Sequence, residues 1–304
     1  MTRHLISIAD LDRAALLALL DRAQRYVARP GEPVVRNRSL EGRTVANLFF
    51  EASTRTRASF ELAARRLGAD VLNLDINLSS TAKGETVRDT VATLQAMNVD
   101  AFVIRHAESG IQRMIADFVA PHVSVINAGE SHLNHPTQGL LDALTIRQHK
   151  GDFANLVVAI VGDIRHSRVA RSASQALRLL GVKELRLVGP AALLPEDGVE
   201  GTRITSMDEG IRGCDVVMML RIQKERMQAG SIPDAAAYHR EYGMDARRLA
   251  LLADDAIVMH PGPMNRGVEI SDEVADGPRS VILDQVNNGV AVRMAVLETL
   301  LERK

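Results

Sequence analysis

The sequence predicts an α/β protein built of two doubly wound parallel-sheet domains, and three observations lead there. Short apolar runs alternate with amphipathic helical stretches along nearly the whole chain, the pattern of repeated strand–helix units. Leu156–Gly162 (LVVAIVG) has no polar side chain, as suits a strand covered on both faces of a parallel sheet. The 304 residues have room for two domains of ordinary size. Gly151-Asp152, just ahead of that strand, is the expected boundary, giving domains over 1–150 and 151–287 and a C-terminal helix over 288–304.

The elements follow from local pattern. Asp10 to Ala28 carries apolar residues at helical spacing behind a capping Asp, and Arg29-Pro-Gly ends it. Thr44–Phe50 reads as a buried strand, followed by a helix over Ser53–Leu67 and a strand over Asp70–Leu74. Ile76–Gly84 is a polar loop. Helices are expected over Glu85–Met97, Ser109–Val119 and Thr137–His149, the last with Pro136 in its first turn. Strands are expected at Asp100–Arg105 and Val123–Asn127. Beyond the boundary the strands are Leu156–Gly162, Glu184–Val188, Cys214–Leu220 and Ala256–Met259. Helices fall at Ser167–Leu180 and Ala246–Ala253. From about Asn288 a long helix places Val290, Met294, Leu297 and Leu301 on one face. Pro190–Arg212 gives no clear signal.

Bulk properties exclude several classes. The net charge of −1, from 37 basic and 38 acidic residues, gives no overall field for nucleic acid or an anionic membrane. No apolar run approaches the roughly 20 residues of a membrane span, and MTRHLISIADLD has no signal-peptide core, so a cytoplasmic protein is expected. The single cysteine, Cys214, rules out an internal disulfide and reads as a small buried residue. Only five of the 37 basic residues are lysines, so a lone Arg says little here and a loop lysine says more.

The candidate chemistry sits at strand ends, where ligands of doubly wound sheets bind. Phe49–Phe60 (FFEASTRTRASF) places Ser53, Thr54, Arg55, Thr56 and Arg57 between an apolar strand and a helix start. A helix start offers unpaired N–H groups and a positive dipole end, and two hydroxyl–Arg pairs there favour phosphate over simple capping. Arg105 closes an apolar strand and is either a structural ion pair or a ligand clamp. His135-Pro-Thr-Gln138 opens a helix, and its His could donate to a carbonyl, act as a base or cap. Ser79–Gly84 (SSTAKG) would ordinarily be a solvated loop, yet it holds Lys83. Gly162-Asp-Ile-Arg-His-Ser167 lacks the later glycines of a dinucleotide fingerprint, so the nucleotide reading fails there. Arg168 opens the next helix. Arg221 and Gln223, at i and i+2 in an extended segment, share one side and suit a carboxylate. His260-Pro-Gly-Pro263 is a rigid loop able to present backbone carbonyls to an ammonium group.

These motifs together resemble the aspartate and ornithine carbamoyltransferase family over about residues 1–304. FFEASTRTR is similar to its carbamoyl phosphate signature. The resemblance implies that Ser53, Thr54, Arg55 and Thr56 hold the phosphate. Arg105 would bridge phosphate and carbonyl oxygen, His135 would donate to that oxygen, and Gln138 would take the carbamoyl nitrogen. Arg168 would hold an aspartate α-carboxylate, and Arg221 with Gln223 the β-carboxylate. The backbone at Gly262 and Pro263 would contact the amine and carbamoyl group. Ser79 and Lys83 would be lent to the neighbouring subunit, which implies a homotrimer with shared sites and leaves room for a regulatory chain or a dihydroorotase partner. The C-terminal helix would return to the first domain. Glu51, where ornithine enzymes carry Lys, and the lack of cysteine in HPGP both favour aspartate.

The reaction implied is direct acyl transfer to the aspartate amine in pyrimidine biosynthesis. Thr56, Arg105 and His135 would stabilise the oxyanion and the leaving phosphate would take the proton, with no metal, cofactor or covalent intermediate expected. Carbamoyl transfer to ornithine or an acetylated amine is the nearest rival, and a non-catalytic anion-binding subunit is a rival of another class. The absence of a P-loop Gly-Lys pair and of HExxH disfavours a nucleotide enzyme and a metallohydrolase.

Overall fold

The computed structural model describes residues 3–75, 86–222 and 234–302. Two compact units emerge, one of residues up to 144 together with those from 287 onward, the other of 145–286.

In the first unit, strands β1 (Thr44–Phe49), β2 (Asp70–Asp75), β3 (Ala101–His106) and β4 (Ser124–Glu130) form a parallel sheet in the order β2-β1-β3-β4. Helices α1 (Arg13–Gln24), α2 (Thr54–Arg66), α3 (Val87–Ala96) and α4 (Ile111–Phe118) connect or flank them, and α5 (Pro136–Lys150) begins in this unit and ends in the second. β4 is buried throughout and β1 at every position after Thr44, as suits strands covered on both faces of a parallel sheet. One core layer gathers Ala46, Leu48, Phe102, Ile104 and Val125 with Val91 and Leu94 of α3 and Ile115 of α4. The strand starts are tied by Asp100, which accepts hydrogen bonds from the Thr44 N–H at 2.9 Å and from Arg43 at 2.8 Å.

The second unit holds β5 (Val157–Val161), β6 (Glu184–Val188), β7 (Thr202–Ile204), β8 (Val216–Met219) and β9 (Ile257–Met259), parallel in the order β7-β6-β5-β8-β9. Its helices include α6 (Arg168–Leu180), α7 (Met207–Ile211), α8 (Ala235–Tyr242), α9 (Ala246–Leu249) and α10 (Asp272–Ala275). Asp215 plays the part of Asp100 here, accepting from the Val157 N–H at 2.8 Å. α11 (Ile282–Leu301) carries the chain from the second unit into the first, where Asn287 donates to the Ala28 carbonyl at 2.7 Å and Arg22 pairs with Glu298 at 3.2 Å.

Several boundaries differ from the sequence expectation. α1 starts after Asp12, whose side chain caps it, because Ser7 and Asp10 instead close a short 3-10 turn at Ile8–Asp10 with a capping box. α11 begins at Ile282, six residues early, and is buried over more than one face: Ala291, Val292, Ala295 and Val296 are as enclosed as Met294 and Leu297, while Val290 is only half-buried. Cys214 is buried but precedes β8, its thiol hydrogen-bonded to the Gly210 carbonyl at 3.4 Å. Burial pushes that thiol up to about 11. The uninformative stretch 190–212 holds the edge strand β7 and the five-residue α7, too short for periodicity to register.

Candidate active site

The first unit delivers its candidate residues at one sheet edge. The strand order reverses between β1 and β3, and such a switch point leaves a crevice at the strands' carboxyl ends. β1 runs into Ser53 and α2, while Phe49 pairs in register with Arg105 at the end of β3. Ser53 occupies the N-cap position of α2 but makes no side-chain capping bond. Thr54 and Arg55 are exposed and Thr56 is buried. A helix start of this kind keeps N–H groups of its first turn available to an anion. Among the described residues, Arg55 forms no ion pair with a carboxylate. Arg105 is held: its Nε lies 3.2 Å from Glu51 Oε2, and its Nη1 donates to the Ala128 carbonyl at 3.4 Å.

His135 sits at the mouth of α5 and is buried, as is Gln138. The loop before it is fastened by a carboxylate absent from the sequence reading. Glu130 accepts from the Gly110 N–H at 2.7 Å, from Asn134 Nδ2 at 2.8 Å and from Asn127 Nδ2 at 3.2 Å. The Glu130 N–H also bonds the Asn134 carbonyl at 2.9 Å. That clasp fixes the residue before His135, so the imidazole enters α5 from a defined backbone. Gln138 donates to Asp142, one turn further along α5, at 2.9 Å. A buried acid between polar loop residues could have suggested Glu130 beforehand, but no periodicity marks it.

The second unit repeats the arrangement. Its order reverses between β5 and β8. Gly162, after β5, has φ +122° and lies so close to β8 that an added Cβ would be 3.0 Å from the Leu220 carbonyl oxygen. Only glycine fits both conditions. Arg168 is the first residue of α6, buried, behind the capping Ser167, and Arg221 follows Leu220 half-buried. β9, next to β8, leads into His260–Pro263. Three adjacent strands therefore bring Arg168, Arg221 and the HPGP loop to the same edge. Gly262 has φ +65° and a cis bond to Pro263. Its N–H donates to His260 Nδ1 at 2.8 Å, so His260 carries its proton on Nε2, which faces Glu269 Oε1 at 3.2 Å. Glu269 also accepts from the Asn265 N–H at 2.5 Å, and His260 and Glu269 are both buried. Ser79, Lys83 and Gln223 lie outside the described residues. Among the described residues no cluster of three or more His, Cys, Asp or Glu could hold a metal ion, and no helix is long and apolar enough to cross a membrane.

Two parallel α/β units, each carrying arginines at its switch point, form a framework suited to anionic small molecules. Residues 3–148 match the model of the aspartate/ornithine carbamoyltransferase carbamoyl-P binding domain, and residues 154–300 match that family's Asp/Orn binding domain. Among solved structures, aspartate transcarbamoylase from Trypanosoma cruzi in complex with carbamoyl phosphate and aspartate is 35% identical, with 97% of this chain and 96% of that chain covered and a TM-score of 0.83. Ornithine carbamoyltransferase from Thermus thermophilus is 27% identical, with 99% of each chain covered and a TM-score of 0.85. The ornithine enzyme from Gloeobacter violaceus is 32% identical over 100% of this chain and 99% of that chain, with a TM-score of 0.81. The chain belongs to the aspartate/ornithine carbamoyltransferase family, and it is a carbamoyltransferase of α/β fold.

Proposed function

We propose that this carbamoyltransferase uses L-aspartate as its acceptor, converting carbamoyl phosphate and aspartate into N-carbamoyl-L-aspartate and phosphate in pyrimidine biosynthesis. The observation that carries the reading is the emergence of Arg168 and Arg221 from the ends of neighbouring strands β5 and β8. Two guanidinium forks suit an acceptor with two carboxylates, and a basic amino acid would leave one of them unmatched. Glu51, where the ornithine enzymes carry Lys, and the cysteine-free HPGP loop support the same choice, as does the 35% identity to the Trypanosoma cruzi aspartate enzyme.

In this reading Ser53, Thr54, Arg55 and Thr56 hold the phosphate, and Gln138 takes the carbamoyl nitrogen. The neutral aspartate amine, oriented by backbone carbonyls at Gly262 and Pro263, attacks the carbamoyl carbon. Thr56, Arg105 and His135 donate to the developing oxyanion, each such donor worth about 3 kcal/mol. The C–O bond to phosphate breaks, and the departing phosphate takes the amine proton. Gln223 assists Arg221. Lys83 and Ser79 come from a neighbouring subunit, which makes the working unit a homotrimer.

Ureido-product formation by the purified chain, measured with aspartate and ornithine in parallel, tests the acceptor. Product with aspartate alone supports the assignment. Product with ornithine alone, the reading favoured by the likeness to the two ornithine enzymes, overturns it. Light scattering of the same sample tests the trimer.

A further inference from the structure

Arg293 lies inside α11, only 4% exposed, in a helix whose neighbouring positions are apolar. Its guanidinium stacks over the Phe60 ring, 5.0 Å from the centroid. Its Nη1 donates to the Gly289 carbonyl one turn back at 2.9 Å. Gly289 makes the space, since an added Cβ there would stand 2.7 Å from Nη1. Among the described residues, the Nε–H has no acceptor and no carboxylate forms an ion pair with the group. A buried cation so thinly satisfied is costly, and an apolar side chain of similar volume would be cheaper to bury.

The surroundings explain why a charge is kept there. Phe60 lies one turn along α2 from Thr56, and Asp142 one turn along α5 from Gln138, its bonded partner. Arg293 therefore meets α2 one turn behind the end that carries the proposed phosphate groups, while Gly289, one turn back on its own helix, faces Leu141 of α5, where an added Cβ would stand 3.4 Å from Leu141 Cδ2. Among the described residues, Arg105 on β3 and Asp142 on α5 are the charged groups whose fields reach it. Burial, and after it the like charge of Arg105, push the Arg293 guanidinium below its ordinary range, with Asp142 opposing.

We propose that Arg293 is a positioning residue for the phosphate-bearing substrate: from behind α2 and α5 its buried charge raises the anion affinity of Ser53–Thr56 and Arg105 without touching the ligand. The low-dielectric core carries the field further than solvent would, and a bound dianion relieves the repulsion between the two guanidiniums. The inference rests on the reading of Ser53–Thr56 and Arg105 as the phosphate site, and is independent of the acceptor.

The test uses the full chain and inorganic phosphate, followed by 31P NMR across pH. R293M, and R293Q, which can still donate to the Gly289 carbonyl, remove the charge. R293K keeps it, and F60L disturbs packing while leaving it in place. Both neutral variants are expected to bind phosphate about tenfold more weakly and to raise the protonation midpoint of the bound phosphate by about one pH unit. R293K and F60L are expected to leave the midpoint in place. Neutral variants that bind and titrate phosphate like the wild type overturn the inference, as does F60L shifting the midpoint as far as R293M. If the wild-type chain holds no phosphate, the anion-site reading fails and the inference with it.

Discussion

Glu51 and Arg105 form an ion pair at the carboxyl ends of adjacent strands, Oε2 to Nε at 3.2 Å, with both side chains largely shielded from solvent. The pair follows from register: Phe49 is opposite Arg105, so the chain leaving β1 passes Glu51 across the arginine before turning into α2. Glu51 aims the Arg105 fork, but it is also a negative charge beside a proposed anion site. E51Q should therefore separate two effects. Phosphate binding measured by calorimetry should be unimpaired or tighter, while kcat falls about tenfold as Arg105 loses its partner. Loss of phosphate affinity with unchanged kcat would refute this account.

Arg221 should affect one substrate only. R221M is expected to raise the aspartate KM about 10- to 100-fold, the worth of a charge-assisted hydrogen bond. The carbamoyl phosphate KM should stay within about twofold, because the donor residues lie on other strands. Steady-state rates with each substrate varied in turn decide it, and equal increases in both KM values would count against a carboxylate role.

His260 offers a test by mimicry. Its Nδ1 accepts from Gly262 and its Nε2 faces Glu269. Asn places an oxygen near the Nδ1 position, whereas Gln reaches toward the Nε2 position. H260N should keep the Gly262 anchor and H260Q should lose it. The expected kcat/KM of H260N exceeds that of H260Q by about tenfold, though both variants lose stability through imperfectly satisfied buried groups, at about 1–3 kcal/mol each. Equal activity in the two would show that the Gly262 contact does not shape the loop.

Asp208 sets a pH limit on the second unit. It accepts from Arg247 at 2.6 and 3.1 Å and from Arg248 at 2.9 Å, and those bonds lower its carboxyl from 3.8 to about 2. Arg248 in turn donates to the carbonyls of Gly243, Glu241, Arg240 and His239, closing the end of α8. A depressed carboxyl contributes stability that is fully present above its unfolded pKa and disappears as pH falls through the folded value. D208N should therefore melt below the wild type at pH 6–7, with the gap closing between about pH 4 and pH 2. Thermal denaturation over that range checks it, and a gap that persists at the acid end would mean that charge is not its source.

Much of the molecule was legible because its signals are local. The largely apolar β1 and the wholly apolar β5 are readable from residue type alone, since parallel strands bury both faces. Ser53 to Thr56, the HPTQ helix start and HPGP could be placed at strand ends for the same reason. Residues whose role depends on distant partners were not legible. Arg293 and Gly289 look like an ordinary cation and an ordinary helix glycine until Phe60 is found beneath the guanidinium. Arg248 bonds mainly to backbone carbonyls, which leave no pattern of residue types, and Glu130 ties together loop groups that no periodicity links.

By itself, then, the amino-acid order determined the α/β alternation, the fold class of two parallel-sheet domains and the residue types at the strand ends, because periodicity and turn chemistry act over a few neighbours. The tertiary structure decided the strand order, and with it which ends adjoin: β1 with β3 for Ser53 and Arg105, β5 with β8 for Arg168 and Arg221. It also decided that Arg105 meets Glu51 and that Arg293 is buried behind α2. Those outcomes depend on the packing of segments far apart in sequence, where charge and shape are matched only after the sheets have formed.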